Sequence, residues 1–575
     1  MPDWARPDLS QALGACRQHL VFVAAFSATM NILFLAPMLY MLQIYDRVVL
    51  SRSGSTLAFL TIAVLLALVA QAILDGLRSR LLVKASLRLD HELSTPLFAH
   101  ALANSGINKD TIANQPMRYF DTVRQAVTGP AMIALCDLPW APFYLAICFL
   151  LHPWLGVLTL LGVVAVSVVA VWNERQTRQP LQTAQEAAHG AYAAQEQILR
   201  RADIVRALGM GGGLMIRHSR ARALMLSAQA NASFAGGILQ ALSKFLRLSL
   251  QSLALGAGAA LAIDDRISLG AVFAASFLVS RAMAPIDMVV SQWQSFVQAR
   301  FAYGELKKLA SAGGDTLART ILPDPLGQIY VEKLGLVHGE RAALIDVSLT
   351  INAGTTVAVV GPSGAGKSTL LRLIAGAENG GSGTIRFDGA DREDWDPDEL
   401  AQHIGYLPQD VGLMAASIKE NIARFLTEFA PKDRTIDKRV IQAAQRSGAH
   451  DLILQLPGGY NYMLGSDGRG VSAGQAQRIG LARAFFGNPR ILILDEPNSQ
   501  LDAEGEAVLL RVLSQMKEQG YTIVFSTHRA ALLQLADKIL VMREGKVGYF
   551  GERDAVIRRL RSASGRAKPK GRGDD

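Results

Sequence analysis

Long apolar runs in the first half of the chain constrain its fold more than any other feature. A helix needs about 20 mainly apolar residues to cross the hydrocarbon of a bilayer. Four runs meet that need, at residues 20–44, 56–77, 130–151 and 153–172. Two further runs, one ending at Ile263 and one beginning at Leu269, are interrupted by charged residues. The pattern predicts six membrane-spanning helices.

Positive charge in this half concentrates in the two long segments that join the second span to the third and the fourth to the fifth. Lys and Arg collect on the cytoplasmic side of spans, so both segments, and with them both termini, are expected in the cytoplasm. The short link at residues 46–55 can then lie outside. Both basic segments have a helical pattern. It fits either spans that continue beyond the membrane and turn back near residues 106–111 and 207–214, or ordinary solvated loops.

The formal net charge of +9 has two interpretations. A basic surface attracts nucleic acid, but basic residues that face anionic lipid account for the same charge in a membrane protein. We therefore expect a lipid bilayer, and no nucleic acid, as a partner. The cysteines Cys16, Cys136 and Cys148 lack the spacing of a disulfide framework or a metal site.

A change in composition divides the chain into domains. After an N-terminal segment at residues 1–19, the transmembrane domain is expected at 20–310 and a Gly-, Ala- and Pro-rich linker at 311–327. In residues 328–560, β-branched runs alternate with helical stretches. Residues 561–575 are basic, lack large apolar side chains and are expected to form a disordered tail. The expected fold class is an all-α transmembrane domain of six helices followed by an α/β domain with a mainly parallel sheet.

A glycine-rich loop at residues 361–368 follows the β-branched run Thr356–Val360. Its form, Gly-x4-Gly-Lys-Ser between a strand and a helix, is the phosphate-binding loop of nucleotide hydrolases. Backbone N–H groups of such a loop surround the β-phosphate, Lys367 adds positive charge, and Ser368 can ligate Mg²⁺. The residues expected to bind nucleotide are Gly361, Pro362, Ser363, Gly364, Ala365, Gly366, Lys367, Ser368 and Thr369.

Two acids follow a second apolar run, Ile491–Leu494. A strand that ends beside the phosphate loop would let Asp495 hold Mg²⁺ and would leave Glu496 to polarise the attacking water. Alone, an Asp-Glu pair after a strand is as readily a helix-capping turn. Together with the phosphate loop, it indicates ATP hydrolysis.

Four further motifs give the chain a resemblance to the ABC transporter ATPases. They are Tyr406-Leu-Pro-Gln409, Val471-Ser472-Ala473-Gly474-Gln475, Ser499-Gln-Leu-Asp502 and Ser526-Thr-His528. The resemblance implies a Mg²⁺ ligand at Gln409, a signature loop with Ser472, Gly474 and Gln475, a D-loop with Asp502, and a γ-phosphate contact at His528. Each motif alone has a local explanation, as an exposed amide, a helix cap or a histidine at a strand end. Their joint occurrence in the family's order favours the resemblance.

The signature loop implies a dimer, because it precedes a helix whose N-terminus can face an anion. In the family this anion is the γ-phosphate bound by the opposite subunit, so one ATPase domain per chain implies a homodimer with both ATP molecules between its domains. The sequence departs from the family in two places. Ala473 replaces the usual glycine, and residues 336–339 offer no obvious aromatic side chain for adenine, so no adenine contact is assigned.

The membrane half resembles a narrower group, the PrtD-like branch of the type I secretion permease/ATPases. The resemblance rests on residues 30–47, 137–142 and 152–156, together with 495–505. It implies a multi-pass exporter of the bacterial inner membrane with a cytoplasmic ATPase domain. Such an exporter works with a periplasmic adaptor and an outer-membrane channel, and it secretes an unfolded polypeptide with a C-terminal signal, such as a protease or lipase with Ca²⁺-binding repeats. The segment before Leu20 is too short for the peptidase-like domain of some relatives, so no processing of cargo is expected.

Two alternatives stay open at this point. The same ATPase could drive the export of a lipid, a peptide or a drug. A membrane-tethered ABC ATPase that remodels nucleic acid or acts as a sensor is a different class. It predicts that long paired cytoplasmic helices are absent and that the ATPase domain has a DNA-binding insertion, and the sequence fits neither expectation.

Polar residues within the spans are costly to expose to lipid, so they are expected to pair between helices or to line an aqueous path for cargo. They are Gln43, Asp46, Arg47, Asp137, Lys244 and Arg247. We favour pairing between helices for these residues.

Overall fold

The structure, a computed structural model, describes residues 12, 14–104, 116–311, 322–338, 341–379, 381–431 and 433–565. Its described residues up to 311 belong to one compact unit, and those from 322 onward belong to a second. The described residues of the first unit form helices and the links between them, and those of the second combine helices with two sheets. The fold class predicted from the sequence is therefore confirmed.

The helices of the first unit are α1 (Arg17–Leu33), α2 (Leu35–Gln43), α3 (Val49–Ser51), α4 (Gly54–Asn104), α5 (Pro116–Thr128), α6 (Pro130–Asp137), α7 (Ala141–Leu151), α8 (Pro153–Arg200), α9 (Ala202–Ala207), α10 (Gly211–Ile263), α11 (Leu269–Ser291) and α12 (Trp293–Ser311). A π-helical turn (Ile44–Val48) joins α2 to α3, and a 3₁₀ turn (Leu138–Trp140) joins α6 to α7.

Six stretches of helix in the described part of the chain are long and apolar enough to cross a membrane. They are Arg17–Ser51, Gly54–Leu102, Pro116–Leu151, Pro153–Leu199, Gly211–Ile263 and Leu269–Ser291. The fifth contains 53 residues, which at about 1.5 Å per residue is about 80 Å of helix, against a hydrocarbon core of about 30 Å. The basic segments are thus helical extensions of the spans wherever the structure describes them. The turn predicted near 207–214 lies between α9 and α10, and the one predicted near 106–111 falls outside the described residues.

The third and fourth spans are separated only by His152 and form a tight hairpin. Helix α7 ends at Leu151, and His152 caps α8, where its Nδ1 atom accepts a hydrogen bond from the backbone N–H of Trp154 at 3.3 Å. Proline at the first position of α8 supports this abrupt start, since the missing N–H of proline is not needed there.

The link predicted at residues 46–55 is shorter in the structure. Helix continues through the π-helical turn to Ser51, and the chain reverses at Arg52, whose φ is +53°. Asp46 explains the difference, because its carboxylate accepts hydrogen bonds from the Ser268 hydroxyl at 2.5 Å and from the Gly270 N–H at 2.8 Å. Asp46, for which pairing between helices was expected, therefore holds the first span against the N-terminus of α11.

The sixth span lies at the centre of this unit. Its side chains Leu278, Val279 and Met283 are fully buried against Tyr144 and Cys148 of α7, among other residues. It is the most buried of the spans, and the second span is the least buried. The second span therefore presents its apolar surface outward within a single copy of the chain.

Arg78 of the second span occupies a polar cluster within the membrane unit. Its guanidinium donates to the Ser27 hydroxyl at 2.9 Å and to Asp75 at 2.7 Å, and it lies 3.4 Å from the carboxylate of Asp137 on the third span. Asp137 also accepts a hydrogen bond from the Asn31 amide at 3.0 Å. Asp137 is therefore paired between helices, as expected for a charged group in lipid.

Arg247 of the fifth span pairs with Asp287 of the sixth at 3.1 Å, and the Ser243 hydroxyl donates to the same carboxylate at 2.5 Å. The pairing predicted for Arg247 is thus present. Lys244 differs, since its side chain is exposed and makes no ion pair or hydrogen bond with any residue that the structure describes.

The strands of the second unit are β1 (Ile329–His338), β2 (Arg341–Ile351), β3 (Thr356–Val360), β4 (Ser382–Phe387), β5 (Ala390–Asp391), β6 (Ile404–Leu407), β7 (Ile491–Leu494), β8 (Thr522–Ser526), β9 (Lys538–Arg543) and β10 (Lys546–Glu552). Its helices are α13 (Lys367–Ala375), α14 (Pro397–His403), α15 (Ile418–Ile422), α16 (Leu426–Phe429), α17 (Arg434–Ser447), α18 (His450–Leu454), α19 (Ala473–Phe485), α20 (Ala503–Glu518), α21 (Ala530–Leu533) and α22 (Arg553–Gly565). Helix α22 includes residues 561–565, so the helix extends into the segment predicted as a disordered tail, and the rest of that segment falls outside the described residues.

The larger sheet has the order β10-β9-β3-β8-β7-β6, and all its strands except β10 are parallel. The smaller sheet, β2-β1-β4-β5, is antiparallel. Successive side chains of a strand point to opposite faces, and those of β7 divide accordingly between two cores. A continuous apolar run such as Ile491–Leu494 is therefore what a parallel strand with two covered faces requires.

Candidate functional site

The site is positioned by four neighbouring parallel strands, β3, β8, β7 and β6, whose carboxyl ends lie at one edge of the larger sheet. The chain leaves β3 into the glycine-rich loop, β8 toward His528, β7 into Asp495 and Glu496, and β6 toward Gln409. Ligands of open parallel sheets bind at this edge. Residues separated by more than a hundred positions in sequence are thus brought to one edge.

The glycine-rich loop turns directly into helix α13, which begins at Lys367. Gly366 has a φ of +94°, and a Cβ atom placed there would lie 2.7 Å from the carbonyl oxygen of Ala343. Glycine is thus required at this position by both its backbone conformation and its surroundings. The N-terminus of a helix adds partial positive charge at the loop, which favours a bound phosphate.

Lys367 is buried, with 7% of its surface exposed. Its Nζ atom donates to the carbonyl oxygens of Gly361 at 2.9 Å and Pro362 at 3.1 Å. The lysine therefore holds the first turn of the loop from inside. A protonated amine has a further donor, which can meet a phosphate oxygen.

The other loop residues differ in accessibility. Pro362, Ser363 and Gly364 are exposed at the tip, and Ser368 is half-buried on the first turn of α13. Thr369 is buried and accepts a hydrogen bond from Arg372 at 3.4 Å, so its hydroxyl faces its own helix.

Asp495 lies at the end of the fully buried strand β7 and has 2% of its surface exposed. Its Oδ1 atom accepts a hydrogen bond from the Ser526 hydroxyl of β8 at 2.6 Å. Among the described residues no donor reaches its Oδ2 atom. A buried carboxylate with one oxygen that accepts no hydrogen bond is suited to bind a cation, or a water molecule that a cation holds.

Glu496 has a left-handed backbone conformation, with φ of +47°. This conformation costs a residue other than glycine about 1–3 kcal/mol, and residues that adopt it cluster at functional sites. Its N–H donates to the Ser526 hydroxyl at 2.9 Å, so this hydroxyl joins the two consecutive acids. Because the chain reverses here, the side chain of Glu496 points in a different direction from that of Asp495. The Glu496 side chain remains 27% exposed.

His528 meets Glu496 at the edge of the sheet. Its Nε2 atom lies 3.7 Å from Oε1 of Glu496, and half of its side chain is exposed. The two groups reach this point from the adjacent strands β8 and β7. A ligand at the edge could thus contact both.

Gln409 is exposed two residues beyond the end of β6. Its neighbour in the motif, Tyr406, is half-buried, and burial together with the nearby Asp495 raises the pKa of its hydroxyl to about 12. Oxygen atoms of Ser368, Gln409 and Asp495 all occur at this edge, and oxygen is the ligand type that Mg²⁺ prefers. The donor chemistry at this edge therefore fits that ion.

The signature loop lies at the start of helix α19. Ser472 caps this helix: its Oγ accepts from the N–H of Gln475 at 3.3 Å, while the Gln475 side chain accepts from the N–H of Ser472 at 2.9 Å. This reciprocal capping box fixes the first turn, and other N–H groups of that turn have no partner within the helix. A Cβ atom on Gly474 would lie 3.0 Å from the carbonyl oxygen of Gln500, so this glycine permits the D-loop to approach.

Asp502 caps helix α20 through a hydrogen bond from the N–H of Gly505 at 2.9 Å. It also pairs with Arg478 of α19 at 2.6 Å. The bond from Gly505 and the pair with Arg478 hold the pKa of this carboxyl below its usual range. The cap that was the local alternative for Asp502 is thus present, and Arg478 joins it to the signature helix.

The structure therefore forms two groups from the residues singled out in the sequence. The phosphate loop, Gln409, Asp495, Glu496 and His528 belong to the edge of the larger sheet, whereas Ser472, Gly474, Gln475 and Asp502 lie together where α19 and α20 begin. Sequence reasoning did not assign a role to Ser526, although it lies in the motif that ends at His528. It also did not identify Arg478 as the partner of Asp502.

Family models match both units of the chain. The model described as the ABC transporter transmembrane region matches residues 20–284, and the model described as ABC transporter matches residues 344–499.

Curated relatives align with almost the whole chain. The type I secretion system ATP-binding protein PrsD of Rhizobium meliloti (strain 1021) is 37% identical over 96% of this chain and 94% of its own length. The exotoxin translocation ATP-binding protein PaxB of Pasteurella aerogenes is 30% identical over 94% of this chain and 76% of its own length. The α-hemolysin translocation ATP-binding protein HlyB of Escherichia coli is 28% identical over 94% of this chain and 76% of its own length.

A solved structure of a bacterial Atm1-family ABC exporter with ATP bound has the same fold. Its TM-score is 0.81 at 21% identity, and the match covers 97% of this chain and 99% of the exporter. Likeness at this identity concerns the fold alone.

Proposed function

Since this chain belongs to the ABC exporter family of type I secretion ATP-binding proteins, we propose that it hydrolyses ATP to export an unfolded polypeptide. The observation that carries this proposal is the identity of 37% to PrsD over 96% of the chain, which includes both the membrane unit and the nucleotide-binding unit. ATP-driven transport by a multi-pass membrane protein follows from the family. The nature of the cargo, the assembly and the role of each residue are proposed from the site.

We assign the nucleotide to the edge of the larger sheet. Backbone N–H groups of residues 361–369 would surround the β-phosphate, and Lys367 would add its charge. Ser368, Gln409 and Asp495 would hold Mg²⁺, and their oxygen chemistry supports this set. When bound, Mg²⁺ supplies positive charge against the β- and γ-phosphates.

Glu496 and His528 are the proposed catalytic residues. Glu496 accepts a proton from a water molecule. The oxygen of this water attacks the γ-phosphorus while the bond between that phosphorus and the departing ADP oxygen breaks. His528 contacts the γ-phosphate from the neighbouring strand. The separation of 3.7 Å between the two side chains supports a shared substrate atom.

The signature loop and the D-loop are proposed to serve a second copy of the chain. Ser472, Gly474 and Gln475 start a helix of 13 residues whose exposed N-terminus can face an anion. Each chain has one set of these motifs, so a closed homodimer would complete each nucleotide site with the partner's loop. ATP would close this dimer, and hydrolysis would reopen it.

The proposed location is the bacterial inner membrane, with the ATPase domain and both termini in the cytoplasm. The basic composition of the helical extensions supports this orientation. Relatives named for type I secretion and toxin translocation support a secreted polypeptide as cargo, and a periplasmic adaptor and an outer-membrane channel as partners.

The cargo is tested by comparing proteins in the medium of three strains: one that lacks the chain, one restored with the native chain and one restored with Glu496→Gln. We expect at least one polypeptide to disappear in the first and third strains and to return in the second. An unchanged set of secreted proteins in the strain without the chain would contradict polypeptide export.

A photocrosslinker at Lys244 separates a polypeptide cargo from a lipid or drug. Lys244 is exposed and unpaired among the described residues, and Leu66 on the second span is an exposed apolar control position. We expect crosslinked polypeptide at Lys244 and lipid at Leu66. Lipid alone at both positions would favour the export of a small apolar molecule.

A further inference from the structure

Gln477 is a fully buried amide on the signature helix α19. Its Nε2 atom donates to the carbonyl oxygen of Pro497 at 3.0 Å and lies 3.5 Å from that of Glu496. A glutamine on a helix is usually exposed, and burying an amide is costly unless it is hydrogen-bonded. These contacts therefore place one side chain of α19 against the backbone that supports Glu496.

The Glu496 backbone needs such support because its left-handed conformation is unfavourable for a side chain. Ser526 holds its N–H at 2.9 Å, and the N–H of Ser499 donates to its carbonyl oxygen at 3.0 Å. Gln477 approaches the same carbonyl from a different element. The carboxylate is thus directed by a backbone that β8, the D-loop and α19 hold from three sides.

We propose that Gln477 is the positioning residue for Glu496, and that it connects the base of each site to the helix whose N-terminus serves the partner's nucleotide. The inference rests on the proposed roles of Glu496 and the signature loop. Gln477 lies two residues beyond Gln475, within the same helix, so a displacement of the capped first turn moves both together. Gln477 itself is buried and bonds to backbone, so it acts through Glu496 and not on the nucleotide.

A small displacement of the base is enough to matter. A misplacement of about 1 Å at a reacting group can lower a rate by about 100-fold. Removal of the Gln477 amide deprives the carbonyl of Pro497 of this donor and leaves that of Glu496 with the Ser499 N–H, while the phosphate loop, on β3 and α13, is unchanged. The expected result of removing the amide is therefore slow turnover with normal ATP binding.

The test uses the full chain in lipid nanodiscs and compares Gln477→Met with Gln515→Met. Methionine has the length of glutamine without its donors, and Gln515 is an exposed residue of α20. We expect Gln477→Met to lower the maximal rate of ATP hydrolysis about 10-fold or more, with ATP affinity within about twofold of the native value. Gln515→Met should keep the native rate of hydrolysis and the native ATP affinity. A rate for Gln477→Met within about twofold of Gln515→Met overturns the proposal.

The double variant Glu496→Gln with Gln477→Met tests whether Gln477 acts through Glu496. We expect its single-turnover rate to equal that of Glu496→Gln alone, because a positioning residue has nothing left to position. A further loss equal to that of Gln477→Met in the native background overturns the proposal.

Two outcomes separate this inference from the assignments on which it rests. If Glu496→Gln hydrolyses ATP at the native rate, the base assignment fails. If Glu496→Gln is inactive while Gln477→Met is native in rate, the positioning role alone fails. Gln477→Ala, which leaves room for water, repeats the measurement if methionine prevents folding. If Gln477→Met and Gln477→Ala both lose folding and ATP affinity, Gln477 has a structural role and the proposal is overturned.

Discussion

The Nε2 atom of His528 lies 3.7 Å from Oε1 of Glu496, although the two residues follow different strands. Their proximity depends on β8 lying between β3 and β7, which places the histidine beside both the phosphate loop and the acids. The two side chains thus lie together at the place where we propose that the terminal phosphate and its attacking water bind. Each member of the proposed site can be tested by itself.

Glu496→Gln should abolish hydrolysis while preserving ATP binding. The amide has the shape of the carboxylate but cannot accept the proton of water, and loss of a general base lowers a rate by about 100-fold or more. Phosphate release and nucleotide binding measure the two effects, with Glu504→Gln on the exposed face of α20 as the control. Turnover at the native rate would remove Glu496 from its assigned role.

Lys367→Ala should lose ATP binding altogether. The change deletes a charge proposed to contact phosphate and also the hydrogen bonds of 2.9 and 3.1 Å that hold the loop. Equilibrium binding of labelled ATP measures this, and Lys546→Ala, at an exposed lysine of β10, is the control. Native affinity in Lys367→Ala would contradict the phosphate assignment.

Ser526→Ala should reduce both stability and turnover. The hydroxyl donates to Asp495 and accepts from the N–H of Glu496, so its removal leaves two buried polar groups without this partner. We expect a loss of about 1–3 kcal/mol in the free energy of unfolding. Thermal unfolding and phosphate release measure the effects, and Ser514→Ala on α20 is the control. Unchanged values for both would show that the link between the acids is dispensable.

Asp502→Asn should reveal a pH-dependent contribution of the D-loop cap. Asn keeps the acceptor for the Gly505 N–H but loses the charge that pairs with Arg478. Because the folded pKa of Asp502 lies below its usual 3.8, the stability due to the charge is present above that value and is lost as the pH falls through the folded pKa. The difference in melting temperature between native protein and variant should therefore disappear in acid. A difference that is independent of pH would exclude the charge as its cause.

Asp287→Ala should destabilise the membrane unit. It leaves the half-buried Arg247 and the buried Ser243 without the carboxylate they share. We expect the free energy of unfolding to fall by about 1–3 kcal/mol, because the pair is partly exposed. Arg247→Met combined with Asp287→Leu should recover most of it. Thermal unfolding in detergent provides the measurement, and equal instability of the single and double variants would contradict the paired role.

Much of the second unit could be predicted because its signals are local. The sequence predicts two apolar strands, Thr356–Val360 and Ile491–Leu494, that end in turn or polar residues, and the structure gives the same bounds. Asp46 shows where local signals fail. Pairing between helices was expected for this residue, but its partners lie more than 200 positions away at the start of α11, and no local pattern identifies them.

Gln477 shows the same limit within the site. Nothing near it in the sequence distinguishes a buried amide from an exposed one, because its acceptors, the carbonyls of Glu496 and Pro497, belong to a distant turn. The caps at Ser472 and Asp502 were among the local alternatives, and the structure contains both. A cap and a role toward the partner's nucleotide are compatible, because one hydrogen bond leaves other groups of the first turn free.

Arg78 gives the spans an order of events during synthesis. Its partners Ser27 and Asp75 precede it in the chain, whereas Asp137 follows 59 residues later. A ribosome that adds roughly 5–20 residues per second needs about 3–12 s for that interval. Throughout that interval Asp75, on the same helix, is the acid available to Arg78. Asp137 can complete the cluster only once the third span has been made.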